Sequence, residues 1–204
     1  ANAGILRDKT FAKMDMADFR AVIDVHLMGS AYCARAVWEK MRAQNYGRIV
    51  FTSSSSGLYG NFGQANYGAA KAAMVGLMNV LHLEGEKSNI RVNTLAPTAA
   101  TRMTADLLPP LSLEVMTPES ITPGVLYLVS EDAPSRVILD AGAGGFARTY
   151  VVETEGVTLT GADLTPEKVA ESFEAISGSA PAALPNAFSQ TEKFVRAALK
   201  ARGL

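Results

Sequence analysis

The sequence predicts an α/β fold, a doubly wound parallel sheet with helices on both faces. Two observations carry that expectation. Short apolar runs rich in β-branched residues alternate with longer stretches of helical periodicity, and glycine or proline punctuates most junctions. The order helix, strand, helix, strand, helix, strand builds a parallel sheet through crossover connections.

Asp15 to Val25 sets Met16, Phe19, Val22 and Ile23 at helical spacing, and a second helical stretch runs from about Leu27 to Gln44. Asn45-Tyr46-Gly47 stops it, glycine being favoured just past a helix end. Arg48-Ile49-Val50-Phe51-Thr52 then reads as a buried strand. Residues 53–63 are rich in serine and glycine and are expected to be a loop. A long helix from Ala65 to Gly85 follows, then a strand from Ile90 to Ala96 that Pro97 should end. Thr101 to Met116 reads as loop or short helices broken at Pro109-Pro110. Pro118 to Ser130 is helical with Val125, Leu126, Leu128 and Val129 inward, and Val137-Ile138-Leu139 is a third strand. Residues 1–145 thus form the α/β part, and 146–204 an extension expected to pack on the same domain. Within it, Arg148 to Leu159 reads as an added hairpin and Pro166 to Ile176 as an amphipathic helix. Ser177 to Pro185 reads as a linker and Phe188 to Ala201 as a final amphipathic helix.

The chain has 204 residues, enough for one domain with a substantial core. A formal net charge of -1 gives no field favouring nucleic acid or a membrane surface, and no basic-aromatic stripe is present. No apolar run is long enough to span a bilayer, and the first residues lack the pattern of a signal peptide. One cysteine, Cys33, excludes an intramolecular disulfide and fits a reducing compartment. His26 and His82 are too far apart to make a credible ligand set, so no metal is expected. The absence of a starting methionine suggests that Ala1 follows further sequence.

Tyr67 and Lys71 stand four apart, so they share one face of the 65–85 helix. A nearby ammonium favours a phenolate and lowers the phenol's pKa, making it a general acid or base near neutral pH. Thirteen residues upstream lies Ser54, whose hydroxyl can hydrogen-bond a substrate oxygen as its charge changes. Alone, the Tyr-Lys spacing recurs on many solvated helix faces. Here it follows a strand-to-helix junction at the carboxyl end of a parallel strand, where such folds place ligands.

These residues resemble the short-chain dehydrogenase/reductases, a family with a Rossmann-like fold that binds NAD(H) or NADP(H). Asn2-Ala3-Gly4 resembles the end of the family's segment against the cofactor, and Ser54, Tyr67 and Lys71 match its catalytic serine, tyrosine and lysine. Arg91 to Pro97 matches the strand and proline beneath the nicotinamide, and Thr101 and Met103 match the residues after it. The resemblance therefore implies cofactor contacts from Asn2, Ala3, Gly4, Tyr67, Lys71, Pro97, Thr98 and Thr101. Thr98 stands where the family usually has glycine. His26 stands where many members have an asparagine that supports a proton relay; a helix histidine bonded to backbone is the other reading. Gly57 to Tyr67, Val25-His26-Leu27 and Glu84 to Ile90 resemble the (3R)-hydroxyacyl-CoA dehydrogenase units of peroxisomal multifunctional enzymes and their bacterial stand-alone relatives.

That subgroup implies a 3-hydroxyacyl-CoA substrate, NAD as cofactor with NADP as the alternative, and a homodimer or homotetramer. The compartment it implies is cytoplasmic, or peroxisomal in a eukaryote. Steroids or other lipophilic alcohols are the competing substrates, and a non-catalytic subunit is the competing role. The apolar 101–116 segment falls where the family has its substrate lid, or it meets a partner subunit. The family's Gly-rich pyrophosphate turn has no counterpart, because Gly57, Gly60 and Gly63 lie inside the catalytic loop. Its absence implies that about 85 to 95 residues of a domain of this size class lie outside the chain, which would hold its C-terminal two-thirds.

Overall fold

Gly47–Thr52 (β1), Ile90–Thr98 (β2), Ile138–Gly142 (β3) and Gly145–Thr149 (β4) form one sheet in the order β1-β2-β3-β4. The computed structural model describes residues 1–100 and 110–203. β1, β2 and β3 run parallel, with Thr52 opposite Leu95 and Thr94 opposite Ile138. β4 turns back antiparallel on β3 through Ala143 and Gly144, both at positive φ (49° and 78°), the two-residue turn whose twist suits a hairpin. The second hairpin strand therefore lies at 145–149, ahead of the 148–159 segment expected from sequence.

Helices cover both faces. Met16–Ile23 (α1), a π-helical turn at Asp24–Met28 and Gly29–Ala43 (α2) form one continuous rod, where the sequence suggested two separate helices. Asp15 caps its start, its carboxylate accepting from Ala17 N at 2.8 Å. Ala65–Gly85 (α4) lies beside it. Ile49, Phe51, Ile90, Val92 and Ile138 meet Trp38, Met74 and Met78 on this side. Strand residues of opposite parity carry the second cluster: Leu95 and Ala141 meet Ile121 and Leu128, with Val50 and Leu139 against them. Ile121 ends a 3-10 turn at Pro118–Ile121 and Leu128 lies on Thr122–Val129 (α6), the turn and helix together replacing the single helix expected over 118–130.

The segment expected to be all loop contains a five-residue helix, Ser55–Tyr59 (α3), capped by Ser54. Pro110–Val115 (α5) precedes α6. β2 runs on through Pro97 to Thr98 instead of stopping at Ala96. Asn93, fully buried in β2, donates from Nδ2 to Pro134 O (2.7 Å) and accepts at Oδ1 from Val137 N (3.0 Å). Arg48 clasps the far end of the sheet, donating to the carbonyls of Ser130, Glu131 and Asn89 at 2.8–3.0 Å.

Two compact units divide between Thr149 and Tyr150, because residues 145–149 belong to the sheet as β4. The second unit holds Pro166–Glu171 (α7), Phe173–Gly178 (α8) and Ala187–Ala201 (α9). Its 166–176 region is two short helices meeting at Ser172, not one. Lys193 on α9 pairs with Glu153 and donates to Thr154 O at 2.8 Å, tying the helix to the unit's first residues. Among the described residues no helix is long and apolar enough to cross a membrane, and no cluster of histidine, cysteine and carboxylate residues could hold a metal ion.

Candidate active site

A cleft of about 400 Å³ opens at the carboxyl ends of β1 and β2, lined by Asn2, Gly4, His26, Ser54, Tyr67, Lys71, Pro97 and Thr98 among others. Parallel strands end here with their helices beginning, which is where this architecture leaves room for ligands. Ala3 lies between Asn2 and Gly4 but does not line the cleft, and Thr101 and Met103 lie outside the described residues.

The four serines at 53–56 have distinct tasks. Ser53 is buried, its Oγ donating to Lys71 O at 2.9 Å, which seats α4 on the end of β1. Ser54 faces the cleft, and its Oγ accepts from Ser56 N at 3.2 Å as the cap of α3. Ser55 and Ser56 begin α3. Gly57 lets α3 lie on α4: a Cβ there would sit 2.7 Å from the backbone of Lys71 and Ala72.

Tyr67 and Lys71 share the cleft-facing side of α4, with Lys71 Nζ 5.5 Å from the Tyr67 ring centroid. Lys71 is 4% exposed and donates to Thr52 O at 2.7 Å, its one hydrogen-bond acceptor among the described residues. Two ammonium hydrogens remain for other partners. Burial lowers its pKa from 10.5 to about 8. Tyr67 departs from expectation. Burial raises its pKa above 10.0; a side-chain hydrogen bond with Ser54 works the other way, and the Asp8 carboxylate adds to the rise. Lys71 is turned to Thr52, and the phenol form dominates at neutral pH.

His26 is carried inward by the π-helical turn and is 2% exposed. Its Nε2 lies 3.1 Å from Ile5 N and 2.9 Å from Ile5 O, while Nδ1 is buried without a hydrogen-bond partner among the described residues. Its ring meets Tyr67 edge to face, centroids 5.2 Å apart. Gly4 makes this packing possible, since a Cβ there would lie 2.5 Å from His26 Cε1. Burial lowers the imidazole pKa; the Ile5 backbone bond opposes this and Lys71 adds to it, so the ring is neutral.

Sequence reasoning missed Asn66. Fully buried beside Tyr67, it donates to Arg7 O at 2.9 Å and accepts from Tyr67 N at 2.7 Å, joining the first segment to the start of α4. It also missed Gln64 and Asn61 on the cleft rim, where Gln64 Nε2 donates to Asp8 at 2.7 Å and its Oε1 accepts from Asn61 at 3.1 Å. A run of amides before Tyr67 was the available signal.

Residues 1–110 match the family model described as short chain dehydrogenase. The peroxisomal multifunctional enzyme A of Dictyostelium discoideum is 43% identical over 202 residues, covering 98% of this chain and 45% of that protein. Acetoacetyl-CoA reductase of an Acinetobacter species is 43% identical over 140 residues, covering 64% of this chain and 56% of that protein. Among solved structures, full-length peroxisomal multifunctional enzyme type 2 from Drosophila melanogaster superposes with a TM-score of 0.88 at 35% identity, covering 98% of this chain and 37% of that one. The chain thus spans about half the length of these two curated relatives.

Proposed function

The chain belongs to the short-chain dehydrogenase family, and from that premise we propose that the protein is an NAD-dependent oxidoreductase acting on 3-hydroxyacyl or 3-oxoacyl thioesters of coenzyme A. The observation that carries the reading is the convergence of Ser54, Tyr67 and Lys71 in one cleft with Asn2, Gly4, Pro97 and Thr98. The donor set fits the nicotinamide end of a dinucleotide: the buried Lys71 ammonium has hydrogens without acceptors, which suit ribose hydroxyls. Asn2, Gly4, Pro97 and Thr98 would flank the ring.

Bound nicotinamide dinucleotide supplies the hydride acceptor or donor at the substrate carbon. Tyr67 moves the proton at its phenolic oxygen, giving it to a carbonyl oxygen in reduction and taking it from a hydroxyl in oxidation. Ser54 Oγ donates a hydrogen bond to the same oxygen and holds it beside the phenol. Lys71 keeps a positive charge near that oxygen. His26, neutral and edge-on to Tyr67, holds Ile5 and thereby the Asn2–Gly4 segment. The name of the Acinetobacter relative, acetoacetyl-CoA reductase, supports a thioester over a steroid.

Homodimerisation belongs to the same reading. Tyr32 and Val37 on α2 and Val80 and Leu83 on α4 are exposed, beside a groove of about 600 Å³.

Tyr67→Phe removes the proton donor without removing the ring. Turnover of acetoacetyl-CoA with NADH is expected to fall at least about 100-fold, within the range of general acid-base contributions. Near-normal turnover in that variant would overturn the reading, and indifference to the CoA moiety would overturn the substrate class.

A further inference from the structure

We propose that Tyr59, Thr149 and Asp140 form a clasp that positions Ser54, tying the free end of α3 to the β3–β4 hairpin; this rests on the oxidoreductase reading above. Asp140 on β3 lies opposite Ala147, so Thr149, two residues further along β4, shares its face of the hairpin. The Thr149 hydroxyl donates to Asp140 Oδ2. That uses its single proton, which fixes the direction of the next bond: the Tyr59 phenol donates to Thr149 Oγ1 at 2.7 Å. A phenol-hydroxyl-carboxylate chain ending on an anion is stronger than two neutral bonds taken separately.

The clasp matters because α3 has five residues and cannot hold its own place. Three attachments fix it. Ser54 caps its start, Gly57 rests on the α4 backbone at mid-length, and Tyr59 anchors its last residue. Immediately after Tyr59 the chain turns at Gly60, φ 82°, into the loop that leads to Tyr67. With the last attachment gone, α3 pivots about Gly57 and Ser54 at the opposite end moves against the substrate oxygen. Tyr59 does not line the cleft, so its effect on the reaction is indirect, and the clasp assigns it to Ser54.

The test is a double-mutant cycle in the full-length protein, reading kcat and KM for acetoacetyl-CoA reduction. Tyr59→Phe and Thr149→Val are each expected to lower kcat about three- to tenfold with KM changed less than about twofold, and Thr149→Ser to restore it. In a Ser54→Ala background, Tyr59→Phe should cause no further fall. Hydrogen exchange at the amides of 57–60, measured without cofactor or substrate, should quicken in Tyr59→Phe while the urea midpoint stays put. An undiminished fall in the Ser54→Ala background, or unchanged exchange and kcat, overturns the clasp while leaving the oxidoreductase reading intact. Retained turnover in Tyr67→Phe overturns that reading itself.

Discussion

Lys71 sits where two demands oppose each other, since the proposed reaction uses its charge and its burial resists that charge. Its folded pKa, about 8, lies below its ordinary 10.5. As pH rises from about 8 towards 10.5 the folded form sheds a proton that the unfolded chain keeps, so folding grows more stable over that window. Catalysis should move oppositely. In reduction assays kcat/KM is expected to fall as pH rises through about 8, with a Lys71→Arg variant slower throughout but free of that limb. A wild-type profile flat from pH 7 to 9.5 would show that Lys71 charge is not used. That Tyr67, Lys71 and Ser54 line one cleft was legible because their spacing follows a strand end and a helix face. Ser53 and Asn66 were not, because a buried polar side chain bonded to backbone leaves no periodic trace. The rise in the Tyr67 pKa was equally hidden, since desolvation depends on packing and not on spacing.

At the scale of elements, the junction between β1 and α4 decides the site. Gly57→Ala forces α3 away from α4, where the obstacle is backbone and cannot yield. The expected cost is about 1–3 kcal/mol of stability, read as a lower urea midpoint, together with a fall in kcat. Unchanged stability would mean that α3 already lies apart from α4. Pro97 within β2 looks like an error on sequence grounds, since proline lacks a ladder donor. The ladder explains it. Thr94 N bonds toward β3 and Leu95 O toward β1, so by alternation the missing Pro97 donor faces the β1 side, where β1 has already ended at Thr52 opposite Leu95. The π-helical turn was unreadable because it preserves helical periodicity on either side. His26 reaches the cleft through it.

At the scale of the whole molecule, the alternation of apolar runs and helical periods was sufficient to indicate a parallel sheet covered on both faces, and the strand parities match the two core clusters. The hairpin was misplaced because Phe146 to Thr149 carries no two-residue alternation; its burial is nearly uniform, and the Ala143-Gly144 turn was the usable signal. An exposed apolar face across α2 and α4 predicts association. Light scattering at micromolar concentration is expected to give at least twice the chain mass, and Val80→Glu to reduce it to one. A monomeric wild type would reject this face as an interface.

Asn93 gives the sheet an address. A strand slipped by one residue would turn this amide to the other face and leave Pro134 O and Val137 N without their partners, at about 1–3 kcal/mol for each orphan. The apolar contacts act in the same sense, because the slip would bring Arg91 and Asn93 to the face that Ile90 and Val92 occupy. Asn93 therefore adds a polar penalty against a shifted register. The carboxyl ends of β2 and β3 reach the same level every time, and the cleft that opens there is built to one set of distances.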